Sequence, residues 1–379
     1  MKVLHAEFDR LDSAADLPVL LTQRLQQAHA AGAGAVMLLA GDGVPWPAGL
    51  IDPVLRAAPL PVWGGVFPEV IHGDRHDPQG LITVAIAEPL QGRWIEGLDD
   101  PGETFDALSR ALPPDTASLV VLFDGLASRL GAFTEALFDH LGGGVSVAGG
   151  GAGSLSFQRR PCLFTPQGMR QGGAVVLPLE RRMGVGVDHG WTPVAGPFIV
   201  THAEGTHVQR LNYRPAHEVY RQSVEPLAGV ALTPENFFDH AKGFPFGMER
   251  PDGSLLVRDP IVWDGDALVC VGEVPPQTTV HVLQGHEDAL VAAAMHAAQR
   301  ALQDHGAHPQ GTLLVDCISR VLFLGERFDR ELKALSAVMQ AAGLPPTFGV
   351  LSLGELANNG SHCLELYNKS IVVGAFGDG

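Results

Sequence analysis

The chain has 379 residues, of which 46% are hydrophobic and 18% charged, enough apolar material for a globular core and enough length for two domains. Its formal net charge of −17 opposes contact with nucleic acid or anionic membrane and argues against both as general partners. Cys162, Cys270, Cys317 and Cys363 are far apart with no CxxC, which argues against a zinc site or a disulfide framework.

The N-terminus, MKVLHAEFDRLDSAAD, is too charged for a signal peptide, and no apolar run reaches membrane-spanning length, so the chain reads as cytoplasmic and reduced. Leu17, Leu20, Leu21, Leu25 and Ala28 recur at helical spacing, with Asp16 as N-cap and Pro18 in the first turn. An internal repeat follows. Each copy is an apolar strand, a helix, a strand running into small residues, and a later apolar strand. The first copy is Ala35 to Ala40, Gly49 to Ala57, Leu60 to Val66 and Leu81 to Ala87. The second is Leu119 to Phe123, Ala132 to Leu141, Val145 to Gly151 and Gly173 to Leu179. The third is Thr312 to Cys317, Arg327 to Ala342, Thr347 to Leu351 and Ile371 to Phe376. The unbroken apolar strands predict burial on both faces.

Residues 183–211 differ in kind, with short strands broken by Gly and Pro. Helices are expected over Pro215 to Ser223 and Pro234 to Ala241, then alternating strands. ALVCVGEVPPQTTVHVL predicts an antiparallel pair across Pro275-Pro276, and a helix is expected from His286 to Gln303. A boundary near Gly190 to Glu204 divides the chain into domains 1–200 and 201–379. The fold expected is α/β: mixed sheets flanked by helices, layered helix–sheet–sheet–helix, with a β-rich middle segment.

Three stretches give this pattern a likeness. The first is Gly149 to Gly153 with Gly172 to Val176. The second runs from Gly190-Trp191 through Val200-Thr201 and Ala203-Glu204-Gly205 to Pro215-Ala216 and Val219-Tyr220. The third is Cys317-x-x-Arg320, Gly354-Glu355 and Tyr367-Asn368. In their order and spacing the chain resembles the FIST proteins, sensory modules with N- and C-terminal parts. The resemblance implies a non-enzymatic module that binds a small, amino-acid-like ligand and signals to a separate partner, such as a histidine kinase or a cyclic-dinucleotide enzyme. Some relatives bind haem and sense nitric oxide, which is the alternative. One departure is Gly64-Gly65-Val66-Phe67-Pro68-Glu69, where a Val-Phe pair stands in place of the family's hydroxyl residues.

Strand ends are where open α/β sheets bind ligands. Gly64, Gly65, Gly149 and Gly150 lie there and would form a bare pocket floor, or simply tight turns. Neither GxGxxG nor a Gly-Lys-Ser/Thr loop is present. Arg320 and Glu355 sit at equivalent places in the third copy. A guanidinium takes a carboxylate and a carboxylate takes an ammonium, so the two form a candidate amino-acid clamp with Cys317 and Asn368 beside it. The competing reading is that Arg320 and Glu355 pair with each other and close the fold. Asp42-Gly43 and Asp124-Gly125 read as turns. Cys317 as a nucleophile lacks a visible base. No triad, carboxylate dyad or phosphate loop is present, although an unrecognised enzyme is a further alternative. His72 and His76 have the spacing of a metal pair, but Gly73 and Pro78 favour a solvated turn. His202 and His207 flank Glu204-Gly205 and are the candidates for an axial haem ligand.

Overall fold

Three central strands in this chain are predominantly apolar and buried, and each needs cover on both faces. The computed structural model, which describes residues 1–108, 112–306, 309–358 and 363–377, supplies that cover with three six-stranded sheets. Each sheet is built on one copy of the repeat. Ala35–Gly41 runs parallel to Val62–Phe67 and antiparallel to Gly80–Ile86. Ser118–Asp124 relates in the same way to Ser146–Ala152 and Gly173–Leu179. Pro309–Cys317 does so to Phe348–Ser352 and Ile371–Gly377.

Alternate residues of each central strand face opposite ways. Met37 and Leu39, Val120 and Leu122, and Leu313 and Val315 share one buried core. Val36 and Leu38 face the helices Leu17–Ala30 and Ala48–Arg56. Val121 and Phe123 face Leu130–Leu141, and Leu314 faces Glu287–His305 and Phe328–Ala341. Any two sheets thus give the expected helix–sheet–sheet–helix order, and the third closes the core. The helix from Leu17 forms as expected, but Asp16 makes no side-chain cap; Ser13 accepts from Ala15 N (3.1 Å) at the short turn before it.

The sheets are locked by exchanged hairpins. The hairpin Glu69–His72/Arg75–Asp77 leaves the first repeat and pairs with Phe348–Ser352 of the third. Leu163–Thr165/Gly168–Arg170 leaves the second and pairs with Val62–Phe67 of the first. Glu355–Asn358/Glu365–Tyr367 leaves the third and pairs with Ser146–Ala152 of the second. Each hairpin covers a strand edge that would otherwise be open. The solvated turn expected around His72 and His76 is one of these hairpins. His76 bonds Glu69 (2.5 Å) and lies 3.7 Å from Asp329 of the third repeat.

Residues 192–284 form a fourth, seven-stranded sheet, inserted between Gly184–Asp188 and the helix Glu287–His305 of the third repeat. Thr192–Glu204 pairs with both Thr279–Gln284 and His207–Leu211, which closes the sheet into a barrel. The position 200/201 lies inside that strand. Val219, Tyr220 and Val224 of Ala216–Ala228 pack on Val200, Leu211 and Val282. The pair expected across Pro275-Pro276 does not form. Ala267–Val271 pairs instead with Leu255–Asp264 across the tight Gly265-Asp266 turn, and the prolines carry the chain across the barrel to Thr279.

Candidate functional site

The central strands of the second and third repeats end side by side, facing the barrel. Beyond Asp124, Cys317 and Ser352, the residues Gly125, Ile318, Ser319, Leu353 and Gly354 line a cavity of about 450 Å³. The barrel closes it with Asp259, Ile261, Val262 and Val271, and Phe238 and Phe157 stand at its rim. Most of this lining is apolar, at the carboxyl ends of strands where open sheets place their ligands.

Glu355 lies behind the lining and is fully buried. Ser352 Oγ donates to its Oε1 (2.7 Å), Ser370 N donates to its Oε2 (3.3 Å), and the Cys317 thiol also hydrogen-bonds the carboxyl. Burial outweighs these bonds and raises its pKa from 4.5 to about 8, so it is largely protonated at neutral pH. Burial likewise pushes the Cys317 thiol far up, which makes it a poor nucleophile. Its Sγ is 3.0 Å from Ser319 Oγ.

Asn368 and Asp259 line the cavity from its two sides. Each is buried and keeps one side-chain oxygen, Oδ1, without a hydrogen-bond partner. The other Asp259 oxygen is 3.0 Å from Lys369 Nζ. That buried ammonium also donates to Lys242 O (2.9 Å) and lies 4.9 Å from the Trp191 ring centroid.

Arg320 is placed differently from the clamp expected of it. It is fully buried, and its guanidinium donates to Glu331 Oε1 (3.0 Å) and Oε2 (2.7 Å), and to the carbonyls of His189 (2.7 Å), Leu290 (3.0 Å) and Lys369 (3.3 Å). Asp316 is 3.3 Å away. Its donors are spent on the protein, so it orders the backbone behind Lys369 and is absent from the cavity lining. Glu331, the carboxylate that pairs with it, comes from the helix Phe328–Ala341 rather than from Glu355.

The glycines converge but do not form a floor. Gly150 and Glu355 are register partners in adjacent strands. Gly64, Gly149 and Gly349 occupy the same place in the three repeats. A Cβ there would stand 1.8, 1.9 and 2.0 Å from the carbonyl oxygens of Leu38, Val121 and Leu314. They permit close approach of the parallel strands. Gly65 and Gly150 face Ala152 and Val315 of neighbouring repeats, inside the body. The glycines that reach the cavity are Gly125 and Gly354. Asp124 serves its own turn, accepting from Leu126 N (3.1 Å) and Gly172 N (2.9 Å).

His202 and His207 are on the barrel hairpin Thr192–Glu204/His207–Leu211, away from the cavity, and the His202 side chain is 52% exposed. Among the described residues no histidine lines the apolar cavity, and His202 and His207 are not placed there as an axial haem ligand would be. Among the described residues, no group of three or more His, Cys, Asp or Glu side chains is placed to hold a metal ion. Likewise no helix is long and apolar enough to cross a membrane.

Sequence reasoning missed Asp259 and Lys369. Arg258-Asp259 interrupts the otherwise apolar run LLVRDPIV, and Lys369 follows Asn368; a charged residue inside an apolar strand is the signal that could have found the first.

Residues 21–214 match the family model of the FIST N domain, and residues 216–358 match that of the FIST C domain. No curated protein matches the chain. With both parts present in order over most of its length, the chain belongs to the FIST family, whose domains are sensory modules that bind small ligands in signalling proteins.

Proposed function

We propose that the chain is a non-enzymatic sensor whose small, amino-acid-like ligand binds in the apolar cavity between the repeat body and the barrel. The two working units are then the three-repeat body and the inserted barrel. The observation that carries this reading is the lining itself: an apolar cavity whose walls come from both units, with unpartnered oxygens on Asn368 and Asp259. The apolar walls suit a hydrocarbon side chain, and the two oxygens suit an ammonium. A ligand bridging body and barrel would fix their contact, which a separate partner such as a histidine kinase could read.

Calorimetric titration with leucine and phenylalanine tests this, on the wild type and on Val262→Trp. Val262 is 48% exposed at the rim, so the larger ring fills the mouth at little cost to folding. Saturable binding weakened at least about tenfold by the substitution supports the reading. Undiminished binding in Val262→Trp places the ligand elsewhere, and no binding to the wild type removes the amino-acid class.

A further inference from the structure

A second cavity, of about 780 Å³, lies on the other side of residues 367–370. Tyr367 and Ser370 line it, whereas Asn368 lines the apolar one. Its other walls are the barrel turn at Arg250 to Leu255, the edge strand Gly184–Asp188 and the helix Glu287–His305. The lining is rich in charged and amide side chains.

Its carboxylates already have partners. Asp188 accepts from His189 N (2.7 Å), with His296 and Arg300 at 3.8 and 4.0 Å. Asp304 accepts from Arg182 (2.7 Å) and Val185 N (3.1 Å). Asp252 accepts from Ser254 N (2.9 Å) and Oγ (2.6 Å). His189 is held neutral by burial, its pKa lowered to about 4, and its Nδ1 accepts from Trp191 N (2.9 Å). Arg250 is different. Its guanidinium lies 5.3 Å from the Tyr367 ring centroid and hydrogen-bonds the Tyr367 side chain, its Nη2 is in an ion pair with Glu365 Oε1 (3.3 Å), and its Nε is buried without a hydrogen bond. Arg250 N donates to Ser254 O (2.9 Å), so the turn that carries it is fixed.

We propose that this second cavity binds a small hydroxylated carboxylate, its oxyanion taken by the Arg250 fork. A buried guanidinium whose Nε makes no hydrogen bond and whose Nη2 is held only by the Glu365 ion pair is suited to a planar oxyanion, which would take Nη2 from Glu365 and be gripped through two parallel bonds. Asp252, Ser254, Gln303 and Asn358 supply acceptors and donors for hydroxyl groups around it. Glu365 is the internal competitor for the same fork.

Gluconate and sorbitol are the probes, since they share a polyol chain and only gluconate carries a carboxylate. In calorimetric titrations of the full chain, gluconate binds saturably and sorbitol at least about tenfold more weakly. Arg250→Gln weakens gluconate by about tenfold or more, and Glu365→Gln tightens it by releasing the fork. Absence of gluconate binding to the wild type, equal binding of the two probes, or an affinity unmoved by Arg250→Gln overturns the proposal. Should Arg250→Gln fail to fold, the sorbitol comparison and Glu365→Gln decide it, and unchanged or weaker binding in the latter counts against. Val262→Trp leaves gluconate binding intact, which separates this site from the apolar one.

Discussion

The two cavities share a wall and differ in nearly every other respect. One is apolar, set at the ends of the second and third repeats, and backed by a carboxyl group that burial keeps neutral. The other is lined by charges and carries a guanidinium whose Nε has no hydrogen bond and whose Nη2 is held by Glu365 alone. Both lie on the seam between the repeat body and the barrel. The strand end of the first repeat has no such neighbour and is sealed by local contacts: Trp46 Nε1 donates to Gly41 O (2.9 Å), Gly43 N donates to Pro78 O (2.6 Å), and Arg160 pairs with Asp42. Three similar strand ends therefore have different fates. The repeat builds the frame, and the insertion into its third copy creates the recesses.

The strongest way to break this comparison is to loosen the shared wall. Arg320 holds the carbonyls of Lys369 and His189, behind the apolar and polar cavities respectively. Arg320→Ala would leave Glu331 and Asp316 buried without their cation, at a cost of about 3–5 kcal/mol. Chemical denaturation measures this. A loss below about 1 kcal/mol would mean that the guanidinium is expendable to the fold and could serve a ligand after all.

Next in size is a contrast in pH. Glu355 behind the apolar cavity has its pKa raised from 4.5 to about 8. Its contribution to stability is fully present below pH 4.5 and is lost as pH rises through 8, because the unfolded chain releases the proton first. His189 beside the polar cavity has its pKa lowered from 6.5 to about 4. Its contribution is present above pH 6.5 and is lost as pH falls through 4. Glu355→Gln should remove a decline on the order of a few kcal/mol between pH 5 and 8, and His189→Asn a separate decline below pH 6.5. Denaturation midpoints for wild type and variants across pH 4–8 test both. Parallel curves for wild type and Glu355→Gln would refute the buried neutral carboxyl.

The repeat was legible in the sequence because its strands are short, predominantly apolar runs that recur in the same order with a helix between them, a pattern that survives without knowledge of the partner. The hairpins that lock the sheets were not. Glu69–His72 and Arg75–Asp77 are four and three residues long, and all of these residues but Val70 and Ile71 are polar, so their periodicity is lost in a turn-like composition. Gly150 and Glu355 are register partners because of the hairpin exchange, which no equivalence of strand ends in the sequence announces. Arg320 shows the limit of residue type as evidence. A guanidinium gripping a ligand carboxylate and one gripping Glu331 need the same chemistry, and only burial and partners tell them apart. The seam was hidden for a further reason. Asp259 and Arg250 belong to the insertion, and nothing in their local sequence says which strand ends the barrel will cover.

The smallest expected effect sharpens the comparison from outside. His202 is on the barrel surface, 3.7 Å from Glu204, and lines neither cavity. His202→Ala removes only an exposed pair, so it should shift stability by less than about 0.5 kcal/mol and leave both leucine and gluconate binding unchanged. The same titrations measure it. If either ligand weakened appreciably, the barrel hairpin would have to communicate with the seam, and the two recesses could no longer be treated as properties of their own linings. The body and barrel would then be one responsive unit, with the hairpin as a second place where ligand binding is felt.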